Sequence, residues 1–86
     1  MEMLVIAKFT SSYDEWKTIY DGDLELRITF MKDDLVGKVD DKTAMIKATI
    51  TDPEQMKKVM GERIPEIAPT LGLEHEMYTL TTIESD

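Results

Sequence analysis

His75 is the only histidine in the chain, and it stands between two carboxylates, Glu74 and Glu76. A histidine titrates near neutrality, so it can serve as a general base or ligate a metal. In an extended segment successive side chains point to opposite faces, which turns Glu74 and Glu76 away from whatever His75 meets. One histidine and no cysteine make a poor donor set for a transition metal within one chain. His75 is therefore the candidate catalytic residue, weighed against the plainer role of a surface or strand-end histidine. Two lysines, Lys8 and Lys47, fall inside otherwise apolar segments. A buried ammonium needs an anionic partner, either an acid of another subunit or a ligand carboxylate. The plainer alternative is that both snorkel to a rim.

Aromatic and sulfur-bearing side chains supply the remaining candidates. Tyr13, Trp16 and Tyr20 recur at helical spacing, as core or as the wall of a pocket between helix and sheet. The chain has seven methionines, and this flexible side chain suits irregular apolar cavities. Met3, Met56 and Met60 read as core; Met31, Met45 and Met77 read as core or cavity lining. The candidate ligand-binding set is Lys8, Trp16, Tyr20, Met45, Lys47, His75, Met77 and Tyr78. Asp21-Gly22-Asp23 faintly resembles a calcium loop, but the glutamate needed at the twelfth position is replaced by Lys32. No phosphate loop, dinucleotide fingerprint or nucleophile elbow occurs. No metal and no cofactor is expected.

The elements that must position these residues follow from periodicity and caps. Met3–Phe9 is β-rich and apolar on both faces at its start, as a central strand is. Ser12 with Glu15 forms a capping box, and the helix it opens is expected to end at Asp21-Gly22, with glycine in the left-handed cap. Residues 23–31 are ambiguous. Leu24, Leu26, Ile28 and Phe30 alternate with polar residues as in a strand, whereas Leu24, Ile28 and Met31 share one helical face. Leu35–Val39 and Thr43–Ile50, joined at Asp40-Asp41, read as a β-hairpin. Asp52, Pro53 and Gln55 start a second helix with Met56, Val59, Met60 and Ile64 as its buried stripe. Pro65 is expected to end or redirect it, with a turn or two more up to Gly72. Glu74–Ile83 is a final strand, and 84–86 a frayed tail.

This order is the β-α-β-β-α-β unit of an antiparallel α+β, ferredoxin-like sheet with helices on one face. The whole chain is expected to be one domain, 1–86. Ala44, Ile46, Ala48 and Ile50 belong under the helices, together with Met3, Val5, Ala7 and Phe9. Leu4, Ile6 and Met45 are left on the open face, interspersed with Lys8, Lys47 and Thr49, so that the two lysines would be partly desolvated in a dimer interface. Which side of the last strand faces inward stays open: Tyr78 and Leu80, or His75, Met77, Thr79, Thr81 and Ile83. An apolar open face is unusual on a monomer, and a two-fold dimer, sheet against sheet, is its simplest cover.

Composition narrows the partners. Eighteen acids oppose ten bases, for a net charge of −8, and such a surface repels phosphate backbones and anionic membranes. With no cysteine there is no disulfide. The longest apolar run, Met3–Ala7, is too short for a signal peptide or a membrane span, so a cytoplasmic protein is expected.

The topology resembles the dimeric α+β barrel superfamily. The stretch Tyr13-Asp-Glu-Trp16-Lys-Thr-Ile19-Tyr20-Asp21-Gly-Asp23 looks like the first helix of an uncharacterised family of short cyanobacterial proteins, and Leu35-Val-Gly-Lys-Val39 matches it by pattern. The resemblance implies pairing through the sheets and favours helix for residues 23–31. Three functional classes stay open. The apolar open face, the methionines and Lys8 with Lys47 favour a protein without catalysis that binds a small apolar or amphipathic anionic ligand, between sheet and helices or at the dimer face. The resemblance implies a cofactor-independent enzyme of the monooxygenase or isomerase type, using His75 or a tyrosine as base. An interaction or regulatory module is the third class. The superfamily's haem-degrading members use asparagine, tryptophan and histidine together. This chain has no asparagine, which speaks against that activity.

Overall fold

The structure is a computed structural model describing residues 1–81. Its elements run β1 (Glu2–Lys8), α1 (Tyr13–Gly22), α2 (Leu24–Arg27), β2 (Met31–Asp40), β3 (Thr43–Ile50), α3 (Pro53–Leu71) and β4 (Glu74–Leu80). The four strands form one sheet in the order β2-β3-β1-β4, every neighbouring pair antiparallel. This is the expected ferredoxin-like arrangement, with a short extra helix between α1 and β2.

The caps form where the sequence places them. Ser12 Oγ accepts from Glu15 N at 3.2 Å, and Asp52 Oδ1 accepts from Gln55 N at 3.0 Å, with Pro53 opening α3. At the other end of α3, Gly72 has φ +61°, and a Cβ there would lie 2.0 Å from Thr10 Oγ1. Only glycine fits both constraints. Gly22 differs from the expectation: it is the last residue of α1, while the cap position falls to Asp23 at φ −92°. The chain needs no left-handed reversal there because it passes at once into α2.

Residues 24–27 are helical, and β2 begins at Met31, four residues before the expected strand. The strand reading fails because the alternation does not describe burial. Leu24, Leu26 and Ile28 are exposed, whereas Arg27 and Phe30 are buried. Tertiary contacts of Arg27 override the local pattern. A second correction concerns Pro65. Helix α3 continues through both Pro65 and Pro69 to Leu71. Each proline withholds one intrahelical donor, freeing the carbonyls of Gly61 and Pro65. Gly61, Pro65 and Pro69 all lie on the exposed side, where those carbonyls are open to hydration.

The core lies on the side of the sheet covered by the helices. Ala44, Ile46, Ala48 and Ile50 are buried there, as are Met3, Ala7 and Phe9. Trp16 is sandwiched at its centre, 5.5 Å from the Phe9 ring and 5.0 Å from Tyr20, both stacked. Truncating it to alanine would cost about 3–5 kcal/mol. The undecided face of β4 is settled by register. His75 pairs with Ala7, Met77 with Val5 and Thr79 with Met3, so these three share the covered side. Glu74, Glu76, Tyr78 and Leu80 share the open one. Ile83 lies outside the described residues.

Candidate functional site

Sheet and helices do not close completely on one another. Between them is a cavity of about 110 Å³, several times the ~10–15 Å³ that one water needs. Strands β1 and β3 form its floor through Met3, Val5, Ile46 and Ala48; α1 contributes Trp16, Ile19 and Tyr20; α3 contributes Met56, Met60 and Ile64. His75 reaches it from β4 and Leu26 from α2. The lining is overwhelmingly apolar, the usual character of a small-molecule pocket.

The polar lining groups are few, and most are mutually engaged. The Arg27 guanidinium, 9% exposed, lies 3.7 Å from the Tyr20 ring centroid and donates to the Tyr20 carbonyl. Its Nε stands 3.6 Å from Asp34 Oδ2, which also accepts a 2.6 Å hydrogen bond from the Tyr20 hydroxyl. Burial, and then donation to Asp34, pushes the Tyr20 pKa well above the ordinary tyrosine value. The hydroxyl is thus held protonated, which removes Tyr20 as a base. Asp23 and Arg63 form the other pair, at 2.9 Å. Asp34 reaches its place through a β-bulge: the register shifts between Lys32 and Leu35, and Asp33 takes φ +54°. Two residues then oppose one on β3, which re-aims a side chain.

Buried Arg27 Nε still lacks a hydrogen bond, since 3.6 Å to Asp34 is too long for one. His75 is the lining residue that makes no hydrogen bond or ion pair among the described residues, and it stands alone on β4. Burial alone shifts its pKa, downward, with no hydrogen bond contributing. At neutral pH the ring is therefore uncharged, with one nitrogen free to accept a proton or hydrogen bond.

Of the eight ligand-binding candidates, the fold brings Trp16, Tyr20 and His75 together around the cavity. Met77 shares their side of the sheet but is 40% exposed on an edge strand. Lys8, Met45, Lys47 and Tyr78 lie on the opposite, open face, as the pairings Leu4–Lys47, Leu4–Tyr78 and Ile6–Met45 require. The two lysines do not converge. Lys8 pairs with Thr43, and Lys47 with Leu4, a separation of four residues or about 13 Å along the strand. Lys8 finds its anion within the chain, at Glu76 Oε1, 3.2 Å away. Arg27, Asp34 and Arg63 were not legible as site residues: Arg27 sits in an apparent strand alternation, and Asp34 depends on a bulge. Among the described residues no three His, Cys, Asp or Glu side chains converge to hold a metal, and no helix is long and apolar enough to cross a membrane.

A four-stranded antiparallel sheet with helices on one face defines a ferredoxin-like α+β fold. Among solved structures the chain is similar to SnoaB, a cofactor-independent oxygenase from Streptomyces nogalater, with a TM-score of 0.66 and 11% identity over 99% of this chain and 96% of that one. An asparagine-to-alanine variant of the same oxygenase superposes with a TM-score of 0.59 at 13% identity, covering 99% and 98% of the two chains. At such identities the likeness establishes the fold alone. No protein-family model and no curated protein matches the sequence.

Proposed function

We propose that this protein binds a small, largely apolar ligand in the cavity between sheet and helices, as a homodimer paired through the open sheet face. The observation that carries the reading is the cavity itself, an apolar cleft lined by one imidazole, His75, that has no partner among the described residues. Its cations face acids, Arg27 at Asp34 and Arg63 at Asp23. This balance favours a ligand with a small polar tip over one with a strongly anionic head. Lys8 and Lys47 lie on the open face, as strand alternation predicts, so an anionic ligand held by them would belong to the dimer face and not to this cavity. Dimerisation rests on the exposed apolar side chains Leu35, Met45, Tyr78 and Leu80 of the open face, flanking half-buried Leu4 and Ile6.

The probe for this site is 1-anilinonaphthalene-8-sulfonate, with Trp16 as energy donor, since it is the only tryptophan and lines the cavity. Saturable enhancement is expected, weakened about tenfold or more by Ile67→Phe, which fills the cavity from α3. Equal binding by that variant places the probe elsewhere and removes the reading.

A second reading is favoured by a separate observation. The fold is shared with a cofactor-independent oxygenase, and a reaction without cofactor must be run by side chains. Uncharged His75 would accept a proton from an activated O–H or C–H of the bound molecule. Oxygen consumption in the presence of an oxidisable hydroxyarene such as 1,8-dihydroxyanthrone, lost in His75→Ala, would distinguish an enzyme from a binding protein.

A further inference from the structure

The helical cover of the cavity is built in two parts, the α1–α2 corner and α3, and one ion pair among the described residues joins them. Arg63 Nε of α3 donates to Asp23 Oδ2 at 2.9 Å. Asp23 is the shared hinge residue of the corner, C-cap of α1 and N-cap of α2. Both residues also line the cavity. At the N-terminal end of α3 the segment after α2 is tied down: the Phe30 carbonyl accepts from Thr51 N at 2.8 Å and from Asp52 N at 3.4 Å, and Gln55 Nε2 reaches Thr29 Oγ1 at 3.4 Å, at the far limit of such bonds. Arg63 lies about two to three turns further along the helix.

The helix that carries Arg63 is soft at that point. Pro65 donates no hydrogen bond to Gly61, and Pro69 none to Pro65, so two consecutive turns lose a backbone link. Gly61 adds backbone freedom. On the other side, α2 is a single turn without a side-chain cap. Soft cover and half-exposed clasp thus coincide over the cavity. Helix bending concentrates at such proline and glycine positions.

We propose that the Asp23–Arg63 clasp is a gate, and that its release, with flexing of α3 at Gly61–Pro65, opens the cavity to small molecules. The gate gains its purpose from the ligand-binding reading above, but its motion is observable without any ligand. Trp16 is 4% exposed and faces the cavity, so a neutral quencher reaches it when the cover parts.

The experiment is acrylamide quenching of Trp16 fluorescence in the full chain, with far-UV circular dichroism verifying the fold. Asp23→Asn and Arg63→Gln should each raise the bimolecular quenching constant about two- to fivefold, the effect of losing a partly exposed ion pair. The charge-exchanged double variant Asp23→Arg/Arg63→Asp should return toward wild type. Pro65→Ala, which restores an intrahelical donor, should quench less than wild type. Unchanged quenching in the two folded single variants, or no recovery in the double variant, overturns the gate. Should the single variants lose helical content, Pro65→Ala decides alone, and quenching equal to wild type rejects the proposal. If quenching shifts as expected while 1-anilinonaphthalene-8-sulfonate does not bind, the gate stands and the ligand reading fails; saturable binding with unmoved quenching means the reverse.

Discussion

The Tyr20 hydroxyl donates a 2.6 Å hydrogen bond to Asp34 Oδ2, tying the first helix to a bulge in the edge strand β2. Because Asp34 also faces Arg27 across 3.6 Å, three residues from α1, α2 and β2 form one polar cluster, in which Tyr20 and Arg27 line the cavity and Asp34 stands behind them. Its components are separated in sequence by up to 14 positions, and no local pattern announces it.

Asp34→Ala should lower the Tyr20 pKa by removing an acceptor that favours the protonated hydroxyl, although burial, the larger cause, remains. Ultraviolet titration near 295 nm, relative to Tyr13 and Tyr78, reads the change. The folded pKa lies above the unfolded value of about 10. Stability from this group is therefore complete below pH ~10 and is lost as pH climbs through the folded value. The same variant leaves the buried Arg27 without its carboxylate and should destabilise by about 2 kcal/mol in urea unfolding.

His75 should titrate below the ordinary histidine value, since burial disfavours its charged form. With the folded pKa depressed, its contribution is present above pH ~6.5 and lost as pH falls through the folded pKa. Proton NMR of the single imidazole follows this directly. A midpoint at or above 6.5 would contradict an uncharged ring in the cavity. His75→Phe should flatten the acid limb of the stability curve.

Gly72→Ala should cost about 2 kcal/mol or more, combining a left-handed backbone with a Cβ placed 2.0 Å from Thr10 Oγ1. Adding Thr10→Ala removes that oxygen and should recover part of the loss. A thermal denaturation series of the four proteins separates strain from collision.

Leu35→Glu and Met45→Glu place charges on the open face without touching the core, since Leu35 is 70% exposed and Met45 36%. Sedimentation equilibrium is expected to show a dimer for the parent and a monomer for the double variant, with helical content unchanged. A parent of monomer mass at tens of micromolar removes sheet-to-sheet pairing.

Sequence alone determined the element order, both principal helix caps, and the covered face of β1 and β3, because these rest on short-range physics. An N-cap oxygen answers an amide three residues away, and strand alternation reports which side chains share a face. The same local reasoning failed at residues 23–31 and at Pro65. There the deciding contacts are distant: Arg27 with Tyr20 and Asp34, and solvent on the outer side of α3. The site divided along the same line. Trp16 and Tyr20 announced themselves through helical spacing. That Lys8, Met45 and Lys47 point the other way follows from the same strand alternation; that His75 joins the aromatic pair, while Tyr78 does not, was decided by strand register. A shift of one residue exchanges the two faces of a sheet, and only the pairing of β4 with β1 fixes which face His75 occupies.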